Sequence, residues 1–187
     1  MDKKSLLLKS ALELFVNQDI DKTSTASIAK HAGVSNGTMF HYFPSKNDLI
    51  IELYLLLKEE MFEFIYSEEM NNARNLKQMI TEGCLNAVSW ICANPAKHNY
   101  IHKIYKSNYN SLIEEDQLPE SYLKYIKVIE QGIQDKELKD IPLDLMLSII
   151  NSLVGALAEY YILSKKKTEK NLNTIVFNMI WESIQHK

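Results

Sequence analysis

The sequence predicts an all-α fold. Its 187 residues include only five glycines and four prolines, and 46% of them are apolar, a composition that suits helices better than β-rich or loop-rich folds. Apolar residues recur every three or four positions, which is the spacing of one helix face. Gly33 and the four prolines fall between these stretches, where helices end. The length suits one ordinary domain or two small ones.

The N-terminal part predicts three short helices. The first covers residues 2–18, with Leu7, Ala11 and Phe15 on one stripe. A second helical stretch closes on Gly33, a residue type that tolerates the left-handed conformation at a helix end. A third begins at Ser35, whose hydroxyl can cap it, and stops before a proline. Two short helices joined by a tight turn predict a helix-turn-helix.

The third helix is predicted to have one buried and one polar face. Met39 and Phe43 are four residues apart and can share the buried face. Asparagine and threonine can hydrogen-bond base edges, a glycine lets the backbone approach DNA, and histidine and tyrosine can donate to phosphates or bases. The side chains left for that polar face are Asn36, Gly37, Thr38, His41 and Tyr42. Such a helix is expected to enter the major groove.

The next helix begins with a predicted capping box. Ser45 is the expected N-cap and Asp48 stands three residues later. The free amides of this helix start, together with Lys46, are expected to bind a phosphate.

Several short motifs resemble the DNA-binding signature of the TetR (tetracycline-repressor) family. They are Ser24-Thr25, Ile28-Ala29, Ala32-Gly33-Val34-Ser35, Gly37-Thr38 and His41-Tyr42-Phe43-Pro44-Ser45-Lys46. The rest of the chain resembles the family only in length and helical pattern. The resemblance implies an all-α homodimer with a three-helix helix-turn-helix DNA-binding domain, residues 1–48, and a larger helical ligand-binding and dimerisation domain, residues 49–187.

The resemblance also implies which residues contact double-stranded operator DNA. Phosphate, base and groove-edge contacts are expected from Thr25, Ser35, Asn36, Gly37, Thr38, His41, Tyr42 and Lys46. Three residues depart from the family pattern. Phe40 replaces a usual tyrosine and keeps only apolar contact, Asp19 stands where glycine is common, and Ala26 has no group that reads bases. None of these departures removes the phosphate contacts.

Further helices are expected after the DNA-binding region. One should run from Ser45 to about Tyr66, a length of about 30 Å, and connect the DNA-binding domain to the rest of the chain. Asn71-Asn72 marks its break. Helices are predicted over residues 76–93 and 95–109, then from Pro119, with a loop over 108–117, and finally over 143–164 and 169–184.

The last two predicted helices are apolar on more than one side, which exceeds what a surface helix needs. We expect them to form an isologous four-helix interface with a second copy of the chain. The alternative is a pair of buried core helices in a monomer.

A small-molecule effector site follows from the family resemblance. Aromatic residues and a methionine between Ser45 and Ser164 could line an apolar cavity, although an aromatic residue at helical spacing more often belongs to the core. The candidates are Phe62, Met79, Trp90, Tyr100, Tyr105, Tyr109, Tyr122 and Tyr125. His98 and His102 are four residues apart but lack a third ligand at a telling spacing, so no metal site is predicted.

Other classes of protein are disfavoured. The sequence has no phosphate-binding glycine loop, nucleophile elbow or His-Glu-x-x-His pair, so neither catalytic residues nor a cofactor is predicted. Cys84 and Cys92 lie in an apolar helical pattern and are expected to be buried thiols. No signal peptide is indicated, and the uncharged stretch from Leu145 to Ala158 is shorter than a membrane span. We therefore expect a soluble cytoplasmic protein.

The sequence as a whole predicts a ligand-responsive transcriptional regulator, most simply a repressor that an apolar or aromatic effector releases from a pseudo-palindromic operator. Two alternatives remain open. One is a helical protein-interaction module without DNA binding, and the other is an activator with the same fold.

Overall fold

A computed structural model describes residues 2–66, 75–165 and 169–186. The all-α prediction is confirmed: in these ranges there is no β-strand, and only one isolated antiparallel bridge joins Leu138 to Gln185. The helices are α1 (Lys3–Asn17), α2 (Thr25–His31), α3 (Asn36–Tyr42), α4 (Lys46–Ile65), α5 (Leu76–Ala93), α6 (Pro95–Tyr105), α7 (Glu120–Gln134), α8 (Leu143–Ser164) and α9 (Lys170–Ile184).

The predicted helix bounds agree closely with these, with one difference after α6. That helix ends at Tyr105 rather than at residue 109, because the Ser107 hydroxyl accepts a hydrogen bond from the Tyr109 amide, 3.2 Å away, and begins a new turn. The predicted loop over 108–117 contains two short 3-10 helices, Asn108–Leu112 and Glu115–Gln117. The predicted break at Asn71-Asn72 lies outside the described residues.

By packing, the chain divides into two compact units. The first combines Met1–Lys58 with Pro95–Leu118, and the second combines Glu59–Asn94 with Pro119–Lys187. This division concerns packing alone. The functional division between residues 48 and 49 is about which residues bind DNA or ligand, and it stays a prediction.

The first unit is built around α1, which packs against α2, α3 and α6. Leu7 and Phe15 of α1 are buried with Ile28, Met39 and Phe43 from the two following helices. In addition, α6 joins this core through Tyr100. Its ring stacks on Phe15, with 5.8 Å between ring centroids, and its hydroxyl donates to the Ile50 carbonyl at 2.9 Å. Residues far along the chain therefore help to hold the N-terminal helices.

The second unit is built around α8, which packs against α5 and α9. Buried side chains from all three helices form its core, among them Val88, Ile150 and Ile180. Cys84 is buried in this unit and Cys92 is half-buried. The predicted burial is thus confirmed for Cys84 and only partly met by Cys92. Burial raises the pKa of the Cys84 thiol to about 12, so this thiol stays protonated and unreactive at neutral pH.

By length and apolar composition alone, α8 could also cross a membrane. Within the second unit, however, α8 packs against two other helices, and its Ser148, Asn151 and Ser152 are exposed. A helix with a buried face and an outward face of serine and asparagine is typical of a helix that packs within a protein.

The buried lysine of α4 makes stability depend on pH. Lys58 is 7% exposed, its ammonium donates to the Tyr54 hydroxyl at 3.2 Å, and burial lowers its pKa from 10.5 to about 8. Between these two values the unfolded chain binds a proton that the folded chain lacks. The free energy of unfolding should therefore rise with pH in this window, by at most about 1.4 kcal/mol per pH unit for this group.

We predict that Lys58→Met removes this contribution. Urea titrations of both proteins between about pH 7.5 and 10.5 would measure it, with exposed Lys127→Met as the control. Parallel pH profiles for wild-type and Lys58→Met proteins would contradict the prediction.

Candidate nucleic-acid interface

The turn between α2 and α3 is shaped by one glycine and one serine. Gly33 has a φ angle of +67°, the left-handed conformation expected at a helix end. The Val34 amide donates to the Ala29 carbonyl at 3.0 Å, which closes the turn. Ser35 caps α3 as predicted, since its hydroxyl accepts from the Thr38 amide at 3.1 Å. These contacts fix where α3 begins.

One face of α3 is buried and the other is open. Met39 and the adjoining Phe43 are fully buried. Thr38 is half-buried, with its hydroxyl oxygen 2.9 Å from that of Ser35, and Phe40 is 45% exposed. The remaining outward residues are Asn36, Gly37, His41 and Tyr42. The structure thus brings the predicted base-facing residues together on one exposed surface, where a duplex can reach them.

The flanking candidates lie at helix starts. Thr25 is the first residue of α2, which Ser24 caps. At α4, the Ser45 amide donates to the Asp48 carboxylate at 2.8 Å, and the Asp48 amide donates to the Ser45 hydroxyl at 3.3 Å. The predicted capping box is therefore present. A helix N-terminus bordered by Lys46 is electrostatically suited to a DNA phosphate.

Lys46 has a contact that the sequence did not indicate. Its ammonium donates to the carbonyls of Ile20 and Asp21, in the loop between α1 and α2. An ammonium has three protons, so one remains for a phosphate. Lys46 consequently holds this loop in addition to carrying the positive charge predicted at the DNA surface.

The α1–α2 loop has its own internal bonds. The Asp19 carboxylate accepts from the Asp21 amide at 3.0 Å, and the Thr23 hydroxyl donates to the Asp19 carbonyl at 2.8 Å. Among the described non-glycine residues, only Lys136 and Lys165 have a positive φ angle. Asp19 therefore replaces the common glycine by side-chain hydrogen bonding rather than by adopting the left-handed conformation.

Sequence reasoning also missed a partner of this loop. The Tyr109 hydroxyl donates to the Asp21 carboxylate at 2.7 Å. The two residues are 88 positions apart, and neither stands in a recognisable pattern, so no sequence signal could have paired them. In the sequence analysis, Tyr109 is instead one of the candidates for lining a ligand cavity.

The eight predicted ligand-binding residues are divided between the two units. Tyr100, Tyr105 and Tyr109 belong to the first unit. In the second unit, the Phe62 ring lies 4.9 Å from that of Tyr122 and 5.6 Å from that of Tyr125, measured between centroids. Trp90 is buried there and Met79 is half-buried. Burial strongly raises the pKa of Tyr125, so its phenol stays neutral.

Two open grooves in the second unit are lined by other residues. One, of about 380 Å³, is bordered by Lys77, Thr81, Leu85, Lys170, Asn173, Thr174, Phe177 and Asn178. The other, of about 280 Å³, is bordered by Glu59, Glu63, Tyr66, Glu120, Ser121 and Lys124. Neither contains a predicted ligand residue, and the ligand-binding role of those residues stays a prediction.

The histidine pair of α6 has stacked rings, with His98 half-buried and His102 exposed. The His98 and His102 centroids are 6.1 Å apart, and burial lowers the pKa of both. Within the described residues, no group of three or more histidine, cysteine, aspartate or glutamate side chains is placed to hold a metal ion.

Comparison with known proteins finds similarity to bacterial transcription regulators. Residues 7–53 match the model of the bacterial regulatory proteins of the tetR family. A crystal structure from Shewanella sp. PV-4, described as a tetR family transcription regulator, superposes with a TM-score of 0.85 at 29% identity over 100% of both chains.

Two curated proteins of Bacillus subtilis strain 168 are also similar. The fatty acid metabolism regulator protein is 25% identical over 141 residues, which cover 72% of this chain and 70% of that protein. The uncharacterized HTH-type transcriptional regulator YhgD is 26% identical over 163 residues, which cover 84% and 83% of the two chains.

The two glycines of the helix-turn-helix should respond differently to a methyl group. Gly33→Ala should lower the free energy of unfolding by about 1–2 kcal/mol, because alanine disfavours a φ angle of +67°. Gly37→Ala lies inside α3, where the new Cβ would meet only the Ser35 hydroxyl at 3.8 Å, so stability should hold or increase.

The same Gly37→Ala change should weaken DNA binding, because its methyl group stands on the outward surface of α3. Thermal unfolding and fluorescence anisotropy with labelled duplex would measure both effects. A loss of stability in Gly37→Ala, or unchanged DNA affinity, would contradict the assignment of this surface.

Proposed function

Because this chain belongs to the TetR family of bacterial transcription regulators, we propose that it is a homodimeric repressor that a small molecule releases from its operator. Its relatives and its fold are those of DNA-binding regulators rather than enzymes, so it is not an enzyme. A cytoplasmic location follows from the proposal, since the operator of a bacterial regulator lies there.

The observation that carries this proposal is the exposed surface of α3. Buried Met39 and Phe43 turn this surface outward, and the helix lies within the matched residues 7–53. Asn36, Gly37 and Thr38 are then the base-facing residues. Phosphate or groove-edge contacts come from Thr25, Ser35, His41, Tyr42 and Lys46, because their hydroxyl, imidazole and ammonium groups are the usual phosphate donors.

Dimerisation is supported by the outward apolar surface of the last two helices. On α8, Leu145 is 51% exposed and Leu163 is 74% exposed. On α9, Ile175 and Met179 are 56% and 52% exposed. Ser148, Ser152 and Ala156 of α8 are also exposed, so a second helix could approach its backbone closely. To bind a pseudo-palindromic operator, such a dimer must present its two α3 helices to successive major grooves, about 34 Å apart.

Effector release requires a ligand that distinguishes two states of the protein. The aromatic cluster of Phe62, Tyr122 and Tyr125 in the second unit is the part of the predicted set best suited to an apolar or aromatic molecule. Phe62 lies on α4, whose first residue is Lys46. A small displacement of this one continuous helix on ligand binding would move Lys46 and weaken the phosphate contact.

We predict a division of labour on the DNA surface. Lys46→Ala should weaken binding to every duplex by a similar factor. It should also reduce the slope of log affinity against log salt concentration by about 1, because one phosphate contact is lost. Asn36→Ala should instead change which sequence is preferred.

Anisotropy titrations at several salt concentrations, on a duplex selected by the wild-type protein from a random pool and on variants of that duplex, separate the two effects. Identical behaviour of Lys46→Ala and Asn36→Ala would contradict this division. Salt-insensitive, non-selective binding by the wild-type protein would favour the protein-interaction alternative.

If the dimer forms through α8 and α9, a charged residue introduced on α9 should prevent dimerisation. Ile175→Glu would bury a carboxylate in each half of the interface, so the protein should become monomeric and its operator affinity should fall about 100-fold or more as bivalency is lost. Leu112→Glu is the matched control, since Leu112 is 47% exposed in the first unit. Light scattering and anisotropy would measure both effects. A dimeric Ile175→Glu protein would place the interface elsewhere.

A further inference from the structure

We propose that Tyr109 is a positioning residue for DNA binding. Its hydrogen bond to Asp21 holds the α1–α2 loop, and through that loop the α2–α3 helices, in the arrangement that binds the operator. The inference rests on the proposed function, because it assigns a role to a residue outside the DNA surface itself.

The α1–α2 loop is built to transmit a restraint. Ile20 and Thr23 are 4% and 2% exposed, so both ends of the turn are anchored in the first unit. The bonds between Asp19, Asp21 and Thr23 stiffen it from within. Lys46 binds its carbonyls from the start of α4. A short loop with these bonds moves as one piece with the helix that follows it.

Tyr109 is itself held firmly at the end of α6. Its amide donates to the Ser107 hydroxyl at 3.2 Å, and that hydroxyl donates to the Ile104 carbonyl at 2.7 Å. Ile104 is fully buried. The phenol therefore projects from a turn that is itself held in place. Because this turn does not move with the α1–α2 loop, the bond to Asp21 can restrain that loop.

The bond itself has the properties of a strong one. The distance of 2.7 Å between the phenol oxygen and the carboxylate oxygen is in the range expected for a hydroxyl that donates to a charged carboxylate. Burial and the hydrogen bond to Asp21 raise the pKa of Tyr109 to about 12, so the phenol stays a donor at neutral pH.

Together with Tyr100, this bond gives α6 and its following turn two attachments in the first unit. Tyr100 contacts α1 and α4 through Phe15 and the Ile50 carbonyl, and Tyr109 contacts the loop that leads into α2. Loss of the second attachment would let α2 and α3 sample more orientations relative to α1 and α4. DNA would then have to select one of them, which lowers apparent affinity for every sequence.

The experiment compares the wild-type protein with four single variants and the double variant Tyr109→Phe/Asp21→Ala, on the duplex selected by the wild-type protein. Tyr109→Phe removes only the hydroxyl, Asp21→Ala removes the acceptor, and Asp21→Asn keeps a weaker acceptor. Ser111→Ala is the matched control, because Ser111 lies in the same 3-10 helix as Tyr109 and its exposed hydroxyl donates to the Asn108 carbonyl, within that turn. Anisotropy gives affinity and salt dependence, and hydrogen exchange reports on the loop amides of Asp21 and Thr23.

We expect Tyr109→Phe and Asp21→Ala each to weaken binding about threefold to tenfold, and the double variant to be no weaker than either single variant. Asp21→Asn should lose less affinity for DNA than Asp21→Ala. Salt dependence and base preference should stay those of the wild-type protein, and loop amides should exchange faster while α1 amides do not. Ser111→Ala should bind normally.

Four results would overturn the inference. Normal affinity of Tyr109→Phe or additive losses in the double variant would do so while leaving the proposed function intact. A reduced salt dependence in Tyr109→Phe would mean that the phenol contacts phosphate directly. Absence of selective binding by the wild-type protein would remove both the inference and the proposed function.

Discussion

The burial of Met39 and Phe43 is the constraint on which the rest of the DNA surface depends. Both side chains are fully buried beneath α3, and because they are four residues apart, they fix the rotation of the helix about its axis. The opposite side of α3, with Asn36, Gly37, His41 and Tyr42, then has to face outward. Gly33 and Ser35 set where the helix begins, so its position and its orientation are each fixed by separate contacts.

The N-terminal helices of the first unit are held by residues from a distant segment of the chain. Tyr100 and Tyr109 come from the segment Pro95–Leu118, and they contact α1, α4 and the α1–α2 loop. A domain boundary drawn after residue 48 on functional grounds therefore cuts through a packed unit. The physical reason is that three short helices bury little apolar surface alone, and α6 enlarges their core.

The second unit has a buried core and, on its last two helices, an exposed apolar surface. The side of α8 toward α5 and α9 is buried, while Leu145, Leu163, Ile175 and Met179 remain exposed on the two last helices. Exposed apolar residues with small side chains between them are what an interface between two copies requires. The same helices thus serve folding with one face and, under our proposal, dimerisation with the other.

Local rules were enough to predict the helices, their caps and the faces of α3, because periodicity, Gly33, Ser35 and the Ser45–Asp48 box act over three or four residues. The family resemblance put Tyr100 and Tyr109 in a candidate ligand set, because an aromatic residue at helical spacing has the same sequence pattern whether it lies in a core, lines a pocket or makes a hydrogen bond. Only the tertiary structure decided that Tyr100 stacks on Phe15, that Tyr109 binds Asp21 and that Lys46 holds the α1–α2 loop. Such contacts join residues 26 to 88 positions apart, and chain folding rather than local pattern brings them together.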